Sequence, residues 1–148
     1  MKAMRNHVIA QLALFLAAPA AAGETMAQRV AAHEAPFASS RSTGLSPVST
    51  GEMLQCAALW NRWKYTLSSA ATPEFETALR PELQSASARS REFELRRQAR
   101  RGRLNDDDDS YFNEVRAEGE AFADKIHAAY VKNEPKSTEA FMEWLGTC

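Results

Sequence analysis

The sequence predicts an all-α fold, a small four-helix bundle with a disordered N-terminal lead and one disulfide. Three observations predict it. Four stretches repeat apolar residues at helical spacing, capping signals stand at their starts, and there are only two cysteines, Cys56 and Cys148, in 148 residues. No stretch of useful length alternates apolar and polar residues as a half-buried strand does, and no internal repeat is present.

The first predicted helix covers 51–69. Ser49 and Glu52 have the spacing of a capping box, which satisfies two otherwise unpaired backbone N–H groups. Met53, Cys56, Trp60, Trp63 and Leu67 form one apolar stripe, and Leu54, Ala58 and Tyr65 form a weaker second one. A helix apolar on two sides is expected at the centre of its bundle. Thr72-Pro73-Glu74 opens a second helix over 73–101, with a cap, proline at the first helical position and an acid in the first turn. Its stripe runs through Phe75, Leu79, Ala86, Ser90 and Phe93, and Pro81 must kink or tightly break it.

The third helix, 110–132, carries Phe112, Val115, Gly119, Phe122, Ile126, Ala129 and Tyr130 on one side and is expected to share the centre with the first. Gly119 inside that stripe costs about 1 kcal/mol relative to alanine, so it predicts a close neighbour, with a tryptophan of the first helix the natural one. A short last helix over 137–145, capped by Ser137 or Thr138, brings Phe141, Trp144 and Leu145 inward, and Gly146 is expected to stop it.

Residues 1–22 read as a secretory signal. Lys2 and Arg5 precede an apolar run, Val8 to Ala18, too short to span a bilayer, and Ala20-Ala21-Ala22 offers a small-residue cleavage site. Residues 23–48, rich in Ala and Ser with Pro36 and Pro47, read as a flexible linker, and 49–148 as the helical domain. The expected location is periplasmic or secreted, with no membrane span in the mature chain. In an oxidising compartment two cysteines read as a Cys56–Cys148 bridge rather than a metal or redox pair. Removing 1–22 takes two positive charges from a formal −1 and leaves −3, which gives no whole-molecule case for nucleic acid or anionic lipid.

The loudest local feature is Arg96 to Arg103 followed by Asp106 to Asp109. Cations at a helix C-terminus and anions at a helix N-terminus both complement the helix dipole, which explains the two runs together. A calcium-loop reading fails on detail, because no register from Asn105, Asp106 or Asp107 puts glycine at the turn. Arg97 continues the phase of the apolar stripe, so the second helix is expected to outrun the bundle there. Arg97, Arg100 and Arg101 are therefore the candidate partner-binding residues, with an acidic partner implied.

Catalytic candidates are sparse. His127, near Glu120 and Asp124 by helical spacing, is the one histidine in the expected folded region; His33 falls in the expected linker. No nucleophile-elbow, metalloprotease, phosphate-loop or dinucleotide pattern is present, so no catalytic residue, metal or cofactor is assigned. The opening Gly51-Glu-Met-Leu-Gln-Cys56, together with Cys148, resembles small helical periplasmic immunity proteins that neutralise secreted toxins. The resemblance is confined to a few residues at each end and lacks a second cysteine pair, so no residue role is carried over. The expected function is a small exported, non-catalytic interaction protein: an inhibitor, immunity protein or assembly factor. The competing expectation is a small hydrolase or metal-dependent enzyme built on His127 and helix carboxylates.

Overall fold

Side-chain caps set the helix starts. Ser49 accepts the Glu52 amide at 3.1 Å while Glu52 accepts the Ser49 amide at 3.0 Å, and α2 runs from Thr50–Ser69. A second reciprocal box, Thr25 with Gln28, opens α1, Met26–Arg41. Thr72 and Pro73 open the six-residue α3, Pro73–Ala78; then come one 3-10 turn, Pro81–Leu83, and α4, Ser85–Arg101. Helices α5, Asp109–Val131, and α6, Ser137–Thr147, complete the computed structural model, which describes residues 23–102 and 109–148. The described residues contain six α-helices and no strand. The expected signal segment, 1–22, and most of the acidic run, 106–108, lie outside the described residues.

The bundle therefore has more helices than the expected four, for two reasons. The first is α1. Residues 26–41 were expected in a flexible linker, but they form a helix that buries His33 and Phe37 and packs chiefly on α6. Pro36 is tolerated inside it. The second is Pro81, which divides the expected helix 73–101 rather than kinking it. The break is held by side chains: Gln84 Nε2 donates to the Leu79 carbonyl at 2.8 Å, and Glu76 accepts the Ser85 amide at 2.8 Å where α4 lacks a capping side chain of its own.

That break resets the helical phase. The buried line of α4 is Ala88, Glu92, Leu95 and Ala99, not Ala86, Ser90 and Phe93, and Phe93 is 68% exposed. In return the turn presents the Leu83 carbonyl to Trp63 Nε1, 2.7 Å away in the core.

Helix α2 is central, packing on α4, α5 and α6 and burying Leu54, Cys56, Trp60, Trp63 and Leu67. Helix α5 is less central than expected: only Gly119 and Ala123 are buried, with Phe122, Ile126 and Tyr130 half-buried against the core. Gly119 does mark a close approach, but its neighbour is the α2 backbone, 3.0 Å from Gln55 to the position a Cβ would take. Gly146 does not stop α6. It lies inside the helix, where an added Cβ would meet the Phe37 carbonyl of α1 at 2.5 Å. Ser40 Oγ donates to the Glu143 carbonyl at 2.7 Å across the same contact. The Cys56–Cys148 disulfide is present and ties α6 to α2.

Candidate functional site

Two regions are candidates for a functional site: the outer face of α4, which holds the candidate partner residues, and a cleft at the α1–α2–α5 junction that holds both described histidines.

On α4, successive turns place Arg89, Phe93, Arg97 and then Arg100 and Arg101 along one side, since residues three and four apart are helix neighbours. Arg89, Phe93, Arg100 and Arg101 are exposed, and Arg97 is half-exposed. Arg97 does not continue a buried stripe, because the break before α4 moves the buried line to Ala88, Glu92, Leu95 and Ala99. What the structure has instead is an aromatic ring in the open between arginines. Glu94 fixes Arg97 in a two-pronged pair at 2.7 and 2.9 Å. The Arg97 and Gln98 bonds hold the Glu94 carboxyl well below its usual range, at about 2.

In the cleft, His33, expected as an exposed residue of the linker, is instead buried on α1. The Thr25–Gln28 box and the apolar spacing Val30, His33, Phe37 were the signals available. His33 is 6% exposed and lies against Trp63, Phe75 and Tyr130 at ring distances of 5.2–5.8 Å. Its Nδ1–H donates to the Arg29 carbonyl at 2.7 Å, which leaves Nε2 to accept the Tyr130 hydroxyl at 2.9 Å. Burial pushes its pKa down, the carbonyl bond opposing, and burial likewise pushes the Tyr130 phenol up.

His127 enters the cleft from α5. Thr66 donates to the Arg62 carbonyl of its own helix at 3.1 Å, so His127 Nε2–H donates to Thr66 Oγ1 at 2.9 Å. Burial, then the charge of Arg62, lowers its pKa against the pull of Asp124. Around these groups lies a cavity of about 400 Å³ with Tyr65, Phe75 and Val131 among its apolar walls.

The carboxylates expected beside His127 are engaged elsewhere. Arg62 binds Glu120 and Asp124 at 2.7 Å each. The net continues through Asn61 to Glu92, which also takes Lys64 and Arg96, while Arg96 reaches back to Glu120 at 3.4 Å. Burial of Glu92 pushes its pKa up, but the bonds from Lys64 and Arg96 outweigh that and hold it below the usual value. This net joins α2, α4 and α5. Among the described residues, no carboxylate is hydrogen-bonded to either imidazole, and no three His, Cys, Asp or Glu side chains converge as metal ligands do.

Comparison of the chain with protein-family models, with curated proteins and with solved structures finds no match.

Proposed function

We propose that the protein is a small exported, non-catalytic binding protein, an inhibitor, immunity protein or assembly factor, and that it meets an acidic protein partner through the outer face of α4. The observation that carries this reading is Phe93, 68% exposed, with Arg89 and Arg97 one turn to either side and Arg100 and Arg101 beyond. A large apolar ring in solvent gains by being covered, and arginine with aromatic side chains is the composition of interface anchors. Glu94 already holds the Arg97 guanidinium in place, so less side-chain freedom is lost when a partner binds. Export rests on the signal-like pattern of residues 1–22, with the disulfide as indirect support.

Two measurements test it. The mature chain recovered from the periplasm or medium should lack residues 1–22. Immobilised, it should retain a stoichiometric partner that Phe93→Ser and the triple change of Arg97, Arg100 and Arg101 to Ser each weaken about tenfold, with affinity falling as salt rises. A partner held equally by all three chains would remove α4 from the interface.

One observation favours the hydrolase alternative: Thr66 Oγ1 lies 2.9 Å from His127 Nε2 beside a cavity. A nucleophile must hand its proton to the imidazole, whereas Thr66 donates to a carbonyl and is itself buried. The pair as built is oriented against that chemistry.

A further inference from the structure

Trp60 is 2% exposed, and its Nε1–H, unlike that of Trp63, has no hydrogen-bond partner among the described residues. A buried donor left alone costs on the order of 1–3 kcal/mol, so native cores seldom keep one without a use. Trp60 is one wall of an open cavity of about 300 Å³ formed by α1, α2, the 3-10 turn and α4. Arg41 and Arg91 line the same cavity, and both also line an adjoining hollow of about 290 Å³ beside Leu45 and Thr147. The two guanidiniums thus stand where the hollows meet.

Neither arginine forms an ion pair with a side chain among the described residues. Arg91 spends Nε and one Nη on the Cys148 main-chain oxygen. Arg41 lies over the Phe37 ring at 5.9 Å. After burial, the charge of Arg41 is the next cause that lowers the Arg91 pKa, so the two cations repel each other across the cavity. Two acids, Glu82 and Glu94, line it too, but each is held by an arginine of its own, Arg80 at 2.9 Å and Arg97 at 2.7 Å.

The geometry points to a binding site for a small organic carboxylate in this cavity, its charged end between Arg41 and Arg91 and its apolar body against Phe37 and Trp60. A carboxylate matches the Arg41 fork in the plane, can take the Arg91 Nη that Cys148 leaves free, and keeps a lone pair for the indole N–H. The hydroxyls of Ser87 and Ser90, with no hydrogen bond among the described residues, can add donors from α4. A single negative charge suits the site better than the double charge of a phosphate, because Glu82 and Glu94 stand close by. Phe37 and Trp60 meet edge to face at 6.2 Å and offer an aromatic floor.

The test follows the Trp60 indole ¹H–¹⁵N resonance, assigned by triple-resonance spectroscopy, while sodium benzoate and sodium acetate are titrated into the full chain. Benzoate should shift that resonance saturably and more than those of Trp63 and Trp144, with acetate binding more weakly. Arg41→Gln, at an exposed position with no side-chain ion pair, should weaken benzoate about tenfold, and Arg41→Lys should recover part of the loss. Benzyl alcohol, the neutral counterpart, should leave the resonance in place. The proposal is overturned if neither carboxylate gives a saturable shift, if benzyl alcohol shifts the resonance as far as benzoate does, if Arg41→Gln binds benzoate unchanged, or if inorganic phosphate binds as tightly.

Discussion

At the scale of single residues, the clearest consequences come from two glycines and two histidines. Gly146→Ala should be among the most costly small changes in the chain. Its Cβ would fall 2.5 Å from the Phe37 carbonyl, and separating α1 from α6 costs about 1–3 kcal/mol, readable as a lower denaturant midpoint. Gly119→Ala, at 3.0 Å from the Gln55 backbone, should also destabilise. The histidines set a pH dependence. Both stay neutral in the fold below their ordinary 6.5, whereas the unfolded chain takes up protons there. The unfolded state then binds more protons, so stability is full above about 6.5 and falls as pH drops below it. A second loss begins below 4.5, as Glu92 and Glu94 are protonated in the unfolded chain before the folded one. Unfolding free energies measured at pH 7.5 and 5.5 should show the first loss, and His33→Gln should flatten it. An unchanged slope in that variant would exclude His33 as its source.

At the scale of elements, the polar net across α2, α4 and α5 and the docking of α1 are the two devices to test. Glu92→Gln leaves Lys64 and Arg96 facing a neutral group near the core and should cost about 1–3 kcal/mol by chemical denaturation. Beginning the chain at residue 49 removes α1, and with it Phe37 and the cover over Gly146. The unfolding transition should move to lower denaturant and lose cooperativity, whereas removing an unpacked tail would leave it unchanged. The elements also show where the sequence was legible. α2 could be read nearly to the residue, because a capping box and an apolar stripe agree there. α4 could not, because its phase depends on how the chain turns at Pro81, and that turn is fixed by contacts from Gln84, Glu76 and Trp63 that no local pattern encodes. α1 was hidden by composition: its alanines, serines and Pro36 resemble a linker, and its helix is stabilised by a partner more than a hundred residues along. The histidine cleft was not legible for the same reason, since His33 lies on α1, and His127 with its neighbouring helix carboxylates pointed only to the competing hydrolase expectation.

For the molecule as a whole, the disulfide closes a span of 92 residues, and the chain-entropy argument gives it roughly 4–5 kcal/mol. Cys148→Ser should therefore lower Tm strongly, and an unchanged Tm by calorimetry would show that α6 is held by packing alone. Arg91 grips the Cys148 main-chain oxygen as well, so the same residue joins α6 to both α2 and α4. The pairing of α1 with α6 has a temporal side. A ribosome makes α1 early and its main partner only about a hundred residues later, so a growing chain can set Phe37 against Trp60 but lacks the α6 cover for most of its synthesis. Neither the bridge nor the α1 contact can close before residues 137–148 have emerged. Until then α2, α4 and α5 can pack on one another, but the side of the core that α6 closes stays open.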